Sequence, residues 1–232
     1  MSALDPLPAR DAYPLWAARY DAENAVTQLD QMAAADLSPP LSGCRLLDAG
    51  CGTGRRIPRP SRQGPAVAVG VDLALDMLRA GRGGAGFARL VQADVCRLPI
   101  AAGTFDVVWC RLALGHVSDL AAAYRELQRV AAAGARLVVT DFHPDALRAG
   151  HRRTFRDAAG AVREVASRAY TPEAHAAAGG AAGFQLAQRR EYRVGPEVRR
   201  FYDEAGCAER YERDLGLALV FGLEFWNQSA TE

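Results

Sequence analysis

The stretch RLLDAGCGTG at residues 45–54 decides the fold: a short apolar run reaches Asp48 and enters a turn with glycine at positions 50, 52 and 54. Glycines at alternate positions permit a tight turn and let the backbone approach a ligand closely. In an open α/β sheet, ligands bind beyond the carboxyl ends of the strands. The stretch therefore predicts a strand followed by a ligand-binding turn.

Strand-like and helical patterns alternate on the carboxyl side of this turn. Four further strands are predicted, at AVAVGVD (66–72), LVQAD (90–94), FDVVWCRLAL (105–114) and ARLVVTDF (135–142). Helical segments near residues 74–82 and 119–132 separate them, and two more strands follow at 185–194 and 217–226. Alternating strands and helices indicate parallel βαβ units with both faces of the sheet covered. We therefore expect a doubly wound α/β fold of seven strands, five of them parallel, with a C-terminal antiparallel pair.

The segments outside this alternation have other patterns. Tyr13–Ala35 is helical in spacing, with an acidic face that we expect to be solvated, and Pro39-Pro40 ends it. Residues 147–165 are rich in arginine and weakly periodic. A helix is predicted from Thr171 to Ala182, with Thr171-Pro172 at its start.

Composition excludes several classes of protein. The chain has 232 residues, 50% hydrophobic, and a formal net charge of +1, which gives no electrostatic reason to expect nucleic acid or an anionic membrane as partner. All 28 basic residues are arginine, so chemistry that needs a lysine amine or a Walker-A lysine is excluded. The five cysteines form no C-x-x-C pair and the four histidines lack metal-ligand spacing, so no metal site is expected. With no apolar leader and no 18-residue apolar run, we expect reduced thiols and a cytoplasmic location.

The spacing of the acidic residues limits which ligands the glycine turn could bind. A dinucleotide motif would need glycine or alanine where Arg55 stands, so a phosphate cradle is not favoured. Asp72 ends the next predicted strand, where a carboxylate can accept hydrogen bonds from both hydroxyls of a ribose, and Asp94 ends the third, within reach of an adenine amino group. Three acids at successive strand ends suit a cationic ligand with ribose and adenine. Each acid could alternatively cap the following helix or turn.

Three stretches follow one another in the order LLDAGCGTGR, VGVDLALDML and VQADVCRLPIAAGTFDVVWCRLALGHVSDL. Together they resemble the class I S-adenosylmethionine-dependent methyltransferases. The chain is most similar to the small-molecule subgroup that includes the ubiquinone and menaquinone methylases, over roughly residues 44–143. The resemblance implies a Rossmann-like fold, S-adenosyl-L-methionine as cofactor, and two units: an N-terminal helical lid over residues 1–40 and a methyltransferase domain over 41–232.

The resemblance also implies roles for individual residues. The methionine part of the cofactor would be contacted by Asp48, Gly50, Cys51 and Gly52. The ribose would be bound by Asp72, and the adenine by Leu73, Met77, Asp94 and Val95. The sulfonium would lie near Cys110 and Arg111, and Tyr20 would close over the cofactor. One departure is Pro58 and Pro60, which should truncate the helix that usually follows the glycine turn, leaving a short helix and a long loop.

The sequence says least about which residues would bind or activate the methyl acceptor. The Asn/Asp-Pro-Pro-aromatic motif of enzymes that methylate adenine or amide nitrogen is missing after residue 109, which disfavours nucleic-acid bases and protein glutamine. His116 and His143 follow the fourth and fifth strands and are candidate general bases on the cavity rim, although each could be a structural rim residue. Arg148, Arg152 and Arg153 are candidates to bind a carboxylate or phosphate, or to form a solvated basic face. His151 and His175 are expected at the surface.

The sequence thus predicts methyl transfer from S-adenosylmethionine to a small organic acceptor by in-line displacement, with the acceptor atom (O, N, S or C) and the choice of monomer or dimer left open. A non-catalytic module that acts through a protein partner is the main alternative. A nicotinamide-dependent dehydrogenase is disfavoured by Arg55, and an aminopropyl transferase by the arginine-rich segment after residue 147.

Overall fold

A seven-stranded sheet forms the centre of the computed structural model, which describes residues 5–81 and 88–228. The strand order is β3-β2-β1-β4-β5-β9-β8. Its strands are β1 (Arg45–Ala49), β2 (Val67–Asp72), β3 (Arg89–Gln92), β4 (Phe105–Arg111), β5 (Ala131–Phe142), β8 (Phe184–Arg193) and β9 (Ala218–Asn227). A separate antiparallel hairpin consists of β6 (Thr154–Arg156) and β7 (Val162–Glu164).

The helices cover both faces and the carboxyl edge of this sheet. They are α1 (Ala9–Trp16), α2 (Ala25–Leu37), α3 (Leu75–Gly81), α4 (Leu120–Val130), α5 (Pro144–Arg148), α6 (Pro172–Ala181), α7 (Arg199–Glu204) and α8 (Ala208–Asp214). In the described parts of the chain, no helix combines the length and the apolar character needed to cross a membrane.

Strands β1 to β5 are parallel, and β9 is antiparallel to both β5 and β8. The predicted fold, with five parallel strands and a C-terminal antiparallel pair, is confirmed. Because the carboxyl ends of parallel strands meet at one edge, the glycine turn after β1, Asp72 at the end of β2 and the chain after β3 lie together there.

Burial on both faces explains the continuous apolar runs of the central strands. Leu46 packs in a cluster with Leu37 of α2, whereas Leu47 belongs to the cluster that contains Leu127 of α4. Successive side chains of a strand point to opposite faces, so neighbouring apolar residues fill two different core layers.

The N-terminal helical pattern divides into two helices with different partners. A capping box, in which Asn24 accepts from the Thr27 N–H and Thr27 bonds back to Asn24, starts α2 after the short turn that follows α1. The prediction of one helix over Tyr13–Ala35 is therefore wrong. Helix α2 packs on β5 and β9, and α1 packs on the β6–β7 hairpin.

The segment between β1 and β2 contains turns and bends but no helix from Gly50 to Ala66. The predicted long loop is confirmed, and the predicted short helix is absent. Pro58 and Pro60 lack backbone N–H groups, which removes two of the donors that a helix would need. The tight hydrogen bonds Gly54 N–H to Cys51 carbonyl and Ile57 N–H to Gly54 carbonyl close successive turns instead.

Two histidines expected at the surface are buried. His175, in α6, is fully buried, and its Nδ1 lies 3.0 Å from the Tyr124 hydroxyl. His151 is 9% exposed, and its Nε2 lies 2.9 Å from a carboxylate oxygen of Asp214. Both carry polar partners in the core, which compensate the cost of removing an imidazole from water.

Candidate functional site

The glycine turn depends on the missing side chains of its glycines. Gly50, Gly52 and Gly54 all have positive φ, at 83°, 59° and 72°. A Cβ on Gly50 would lie 2.5 Å from the Cβ of Ala113, closer than real contacts allow. The turn can therefore keep its shape, and its backbone can face the cavity, only with glycine at this position.

Asp72 fastens this turn to the end of β2. One carboxylate oxygen accepts from the Gly52 N–H at 2.7 Å, and the other accepts from the Ala74 N–H at 2.8 Å. Burial raises the pKa of Asp72. Each carboxylate oxygen has a second lone pair, so Asp72 can hold the turn and also accept from a ligand hydroxyl.

A cavity of about 470 Å³ lies over the turn. Most of the residues predicted to bind the cofactor line it: Tyr20, Gly50, Gly52, Asp72, Leu73, Met77, Asp94, Val95 and Arg111. His116, predicted as a candidate general base, lines it too. Residues that the sequence did not single out also line it, among them Pro8, Arg10, Tyr13, Ala93, Cys96, Leu112 and Ala113. Pro8, Arg10 and Tyr13, from the N-terminal segment, had no local motif that could have identified them.

Three predicted residues lie outside the cavity lining. Cys51 faces β2, where its Sγ would be 2.8 Å from a Cβ on Gly70, and Cys110 is fully buried in the core. Strand alternation places the side chain of Cys110 on the opposite face from Arg111, which lines the cavity. Asp48 is buried beneath the turn; its Oδ1 has no hydrogen-bond partner, and burial raises its pKa to about 6.

A buried charge network forms the floor of the site. Asp30 of α2 is fully buried and accepts from Arg111 Nη2 at 2.7 Å, Arg56 Nη1 at 2.6 Å and the Thr140 hydroxyl at 2.6 Å. Burial alone would raise the pKa of Asp30, but Arg111 and Arg56 outweigh it and hold this pKa below its ordinary value. The expectation that the acids of this helix are all solvated is wrong for Asp30.

His116 lies between the cavity and helix α1, with both ring nitrogens occupied. Its Nδ1 is 3.0 Å from the Ala166 carbonyl, and its Nε2 is 2.9 Å from the Tyr13 hydroxyl and 2.8 Å from Arg153 Nη1. A carbonyl only accepts and arginine only donates, so Nδ1 carries the proton and Nε2 accepts. Burial and Arg153 lower the pKa of His116 to about 4, so the ring is neutral at pH 7.

His143 does not lie on the cavity rim, contrary to the prediction. It precedes α5, where its Nδ1 accepts from the Asp145 N–H at 3.1 Å, and its Nε2 is 3.7 Å from Glu191 of β8. The chain turns away from the sheet edge after Phe142, so the side chain packs between α5 and β8. Burial lowers the pKa of His143.

A second cavity, of about 330 Å³, adjoins the first. Both are lined by Tyr13, Tyr20 and Leu112. Leu112 is the one described residue other than glycine with a positive φ, 52°, and its carbonyl accepts from Arg153 Nη1 at 2.8 Å. The second cavity is also lined by Trp16, Asn24, Val26, Arg55, Phe142, His151, Arg152, Arg153, Phe201, Tyr202, Cys207, Arg210 and Leu219.

The arginines predicted to bind an acceptor separate into two groups. Arg152 and Arg153 line the second cavity, whereas the exposed Arg148 lies outside it and pairs with Asp145. Arg153 is not part of a solvated face: its side chain is 11% exposed, and its Nη2 bonds to Asp141 at 2.9 Å. Arg55 and Arg210, which the sequence did not single out as acceptor-binding residues, also line the second cavity.

The first cavity fits an adenosyl ligand with a cationic amino-acid tail. Its lining contains the carboxylates of Asp72 and Asp94 and the apolar side chains of Leu73 and Met77. Gly50 and Gly52 leave the backbone exposed to the cavity. The unpartnered Oδ1 of Asp48 lies beneath the same turn. Among the described residues, no group of His, Cys, Asp and Glu is arranged to hold a metal ion.

Comparison with known proteins agrees with this geometry. Residues 47–139 match the family model described as a methyltransferase domain. The demethylmenaquinone methyltransferase of Roseiflexus sp. (strain RS-1) is 40% identical over 49% of this chain and 50% of its own length. The malonyl-[acyl-carrier protein] O-methyltransferase of Enterobacter lignolyticus (strain SCF1) is 31% identical over 63% of this chain and 58% of its own. The chain thus spans little more than half the length of these relatives.

Solved structures show the same architecture. An S-adenosylmethionine-dependent methyltransferase from Mesorhizobium loti has a TM-score of 0.65 at 19% identity, covering 85% of this chain and 97% of its own. At that identity the likeness is one of fold. Residues 47–139 thus match a methyltransferase-domain model, and the chain shares its fold with this solved S-adenosylmethionine-dependent methyltransferase.

Proposed function

We propose that this chain transfers a methyl group from S-adenosylmethionine to a small organic acceptor. The observation that carries the proposal is the pair of adjoining cavities: one is built on the glycine turn and Asp72, the other shares Tyr13, Tyr20 and Leu112 with it. The names of the two relatives support methyl transfer to an organic acceptor. The non-catalytic alternative rested on the interrupted helix after Arg55, yet the cavity is formed without that helix.

In this proposal each part of the first cavity binds a different part of the cofactor. Asp72 accepts from the ribose hydroxyls, and Leu73 and Met77 pack on the adenine beside Asp94 and Val95. The backbone at Gly50 and Gly52 meets the methionine part. Tyr20 covers the cavity at the glycine turn. Its ring lies so close to Gly52 that a Cβ added to this glycine would be 3.1 Å from it. When bound, S-adenosylmethionine supplies an electrophilic methyl group on a positively charged sulfur.

The chain's own contribution to rate is to align the acceptor and exclude water. Well-oriented reactants gain roughly 7–11 kcal/mol over the reaction in solution. Both ring nitrogens of His116 are engaged as described, and Nδ1 of His151, which lines the second cavity, accepts from Arg210 Nη2 at 3.1 Å. His116 is therefore assigned to hold Tyr13 and Arg153 in place, rather than to remove a proton from the acceptor.

Calorimetric titration tests the cofactor assignment. We expect saturable binding of S-adenosylmethionine and S-adenosylhomocysteine and no binding of NAD, because the turn lacks the third glycine of the dinucleotide-binding motif. Transfer of a labelled methyl group to a panel of small acceptors then tests turnover. Failure of both adenosyl compounds to bind would contradict the proposal.

A further inference from the structure

The second cavity has an unusual balance of charge. Four arginines line it, Arg55, Arg152, Arg153 and Arg210, while none of the described residues lining it is Asp or Glu. Their carboxylate partners, which include Asp21, Asp141 and Asp214, lie outside the lining. The cavity therefore presents cationic groups from several sides to whatever enters it.

Some of these arginine donors have no acceptor. Nε and Nη2 of Arg55 and Nε of Arg153 are buried without a hydrogen-bond partner. The nearest carboxylates to Arg55 are 3.4 Å away at Asp21 and 3.9 Å away at Glu23. A buried donor without an acceptor costs about 1–3 kcal/mol, which a ligand oxygen can recover. These donors indicate a ligand that accepts hydrogen bonds.

A large part of the remaining wall is apolar, and much of that part is aromatic. It includes Trp16, Val26, Phe142, Phe201, Tyr202 and Leu219. Trp16 is held by stacking on Phe155 of the β6–β7 hairpin, with ring centroids 5.0 Å apart. Aromatic walls favour a flat apolar body through stacking and edge contacts.

We propose that the acceptor is a small organic anion, a carboxylate or a phosphate on a flat apolar body, whose anionic group is bound by Arg55 and Arg210 together with Arg152 and Arg153. Guanidinium groups bind both kinds of anion through paired N–H donors. This inference rests on the proposed function, because it takes the second cavity as the acceptor site. Arg55 approaches from the loop after β1 and Arg210 from α8, so the anion would be held between two separate elements.

Three probes with one ring system test the charge preference: 1-naphthoate, 1-naphthyl phosphate and the neutral 1-naphthamide. Each is titrated calorimetrically into the full chain saturated with S-adenosylhomocysteine. We expect at least one anion to bind about tenfold or more tightly than the amide, since a hydrogen bond to a charged group contributes about 1.5–3 kcal/mol. The stronger of the two anions identifies the carboxylate or the phosphate as the group recognised.

Arginine variants test which side chains cause the preference for an anion. The double variant Arg55→Gln/Arg210→Gln should lose most of the preference for the anion while it keeps its affinity for S-adenosylhomocysteine, because neither arginine lines the first cavity. Arg148→Gln, an exposed arginine outside both cavities, should keep the preference. Arg153 is not used, since its loss would leave the buried Asp141 without its ion pair.

Clear outcomes would overturn the inference. It fails if the amide binds as tightly as both anions, if neither anion saturates the protein at millimolar concentration, or if the double variant keeps the full preference. Each of these results is obtained on the S-adenosylhomocysteine complex and leaves the proposed function standing. Failure to form that complex would instead contradict the proposed function.

Discussion

The carboxylate of Asp72 has two roles. It holds the Gly52 and Ala74 N–H groups and, at the same time, lines the cavity. The structural interpretation of this acid as a cap and the functional one as a ribose acceptor are therefore compatible. The geometry explains how a single acid at a strand end can shape a turn and bind a ligand.

Replacing Asp72 by Asn should weaken binding of S-adenosylhomocysteine by about 10–100-fold, because the hydrogen bonds that a charged group accepts contribute about 1.5–3 kcal/mol. Calorimetry measures the dissociation constant, and circular dichroism checks folding. Asp76→Asn is the matched control: this acid follows shortly after, in α3, and pairs with Arg79 away from the cavity. Equal affinities in the wild type and Asp72→Asn would remove Asp72 from the ribose site.

His116 should make the fold sensitive to acid. Its pKa is about 4 in the folded chain and near 6.5 when unfolded, so the unfolded state binds more protons between these values. The stability that neutral His116 provides is complete above pH 6.5 and is lost as the pH falls towards 4. At pH 5 the loss from this group is about 2 kcal/mol.

Urea denaturation of the wild type and His116→Gln at pH 7.5 and pH 5 measures this loss. Glutamine can still donate to Ala166 and accept from Arg153, but it does not titrate. The free energy of unfolding should fall on acidification by about 2 kcal/mol more in the wild type than in the variant. Equal losses in both proteins would show that His116 is not held neutral by the fold.

At the scale of elements, helix α2 is fixed to the sheet by charge as well as by apolar packing. Leu29, Ala33 and Leu37 are buried, and Asp30 between them joins Arg111 of β4 to Arg56 of the loop after β1. An ion pair this deep is costly to break, because the remaining charge stays buried without a partner.

Asp30→Asn should therefore lower the free energy of unfolding by about 3–5 kcal/mol, as expected when one member of a buried ion pair is removed. Asp36→Asn is the control on the same helix: this acid is half exposed and lies 3.6 Å from Arg190. Removing that exposed ion pair should cost about 1 kcal/mol or less. Urea denaturation gives both values, and similar losses would contradict the buried network.

Over the whole molecule, the first forty residues serve two parts of the structure. Helix α2 belongs to the main core, whereas α1 lies over both cavities and contacts the β6–β7 hairpin through Trp16 and Phe155. Leu7 adds backbone hydrogen bonds to Glu164 and Ala166 on the same hairpin. We therefore assign the proposed lid to α1 and the turn after it, with the hairpin as its support.

Phe155→Ala should loosen this lid without unfolding the sheet. Phe155 is 5% exposed in a small cluster with Ala12 and Val165, and losing a buried phenylalanine typically costs about 3–5 kcal/mol. Hydrogen exchange of residues 9–20 should accelerate at least tenfold while exchange in β1 and β4 is unchanged, since local units open independently. Val162→Ala, at an exposed position of the same hairpin, should leave all three regions as they are. Uniform acceleration across the chain would contradict a separate lid.

Local patterns were enough to predict the sheet, the glycine turn and the acids beside it, whereas the other residues predicted for the first cavity came from the family resemblance. Alternation of apolar strands with helices, the three glycines and the acids at strand ends are all features of neighbouring residues, and backbone geometry converts them directly into a turn at a sheet edge. The boundaries of β4, β8, β9 and α6 accordingly lie within a few residues of their predicted positions.

Only the tertiary structure decided which charged residues face the ligand cavities and which are buried. Arg111 finds Asp30 across 81 positions of sequence, and Thr140 reaches the same carboxylate across 110. No local pattern in the sequence places His143, His151 or His175, because their surroundings depend on the packing of α5, α6 and α8. Arg55 and Arg210 meet at one cavity for the same reason. The physical cause is that periodicity sets which face a residue occupies, whereas the partner on that face comes from a distant element.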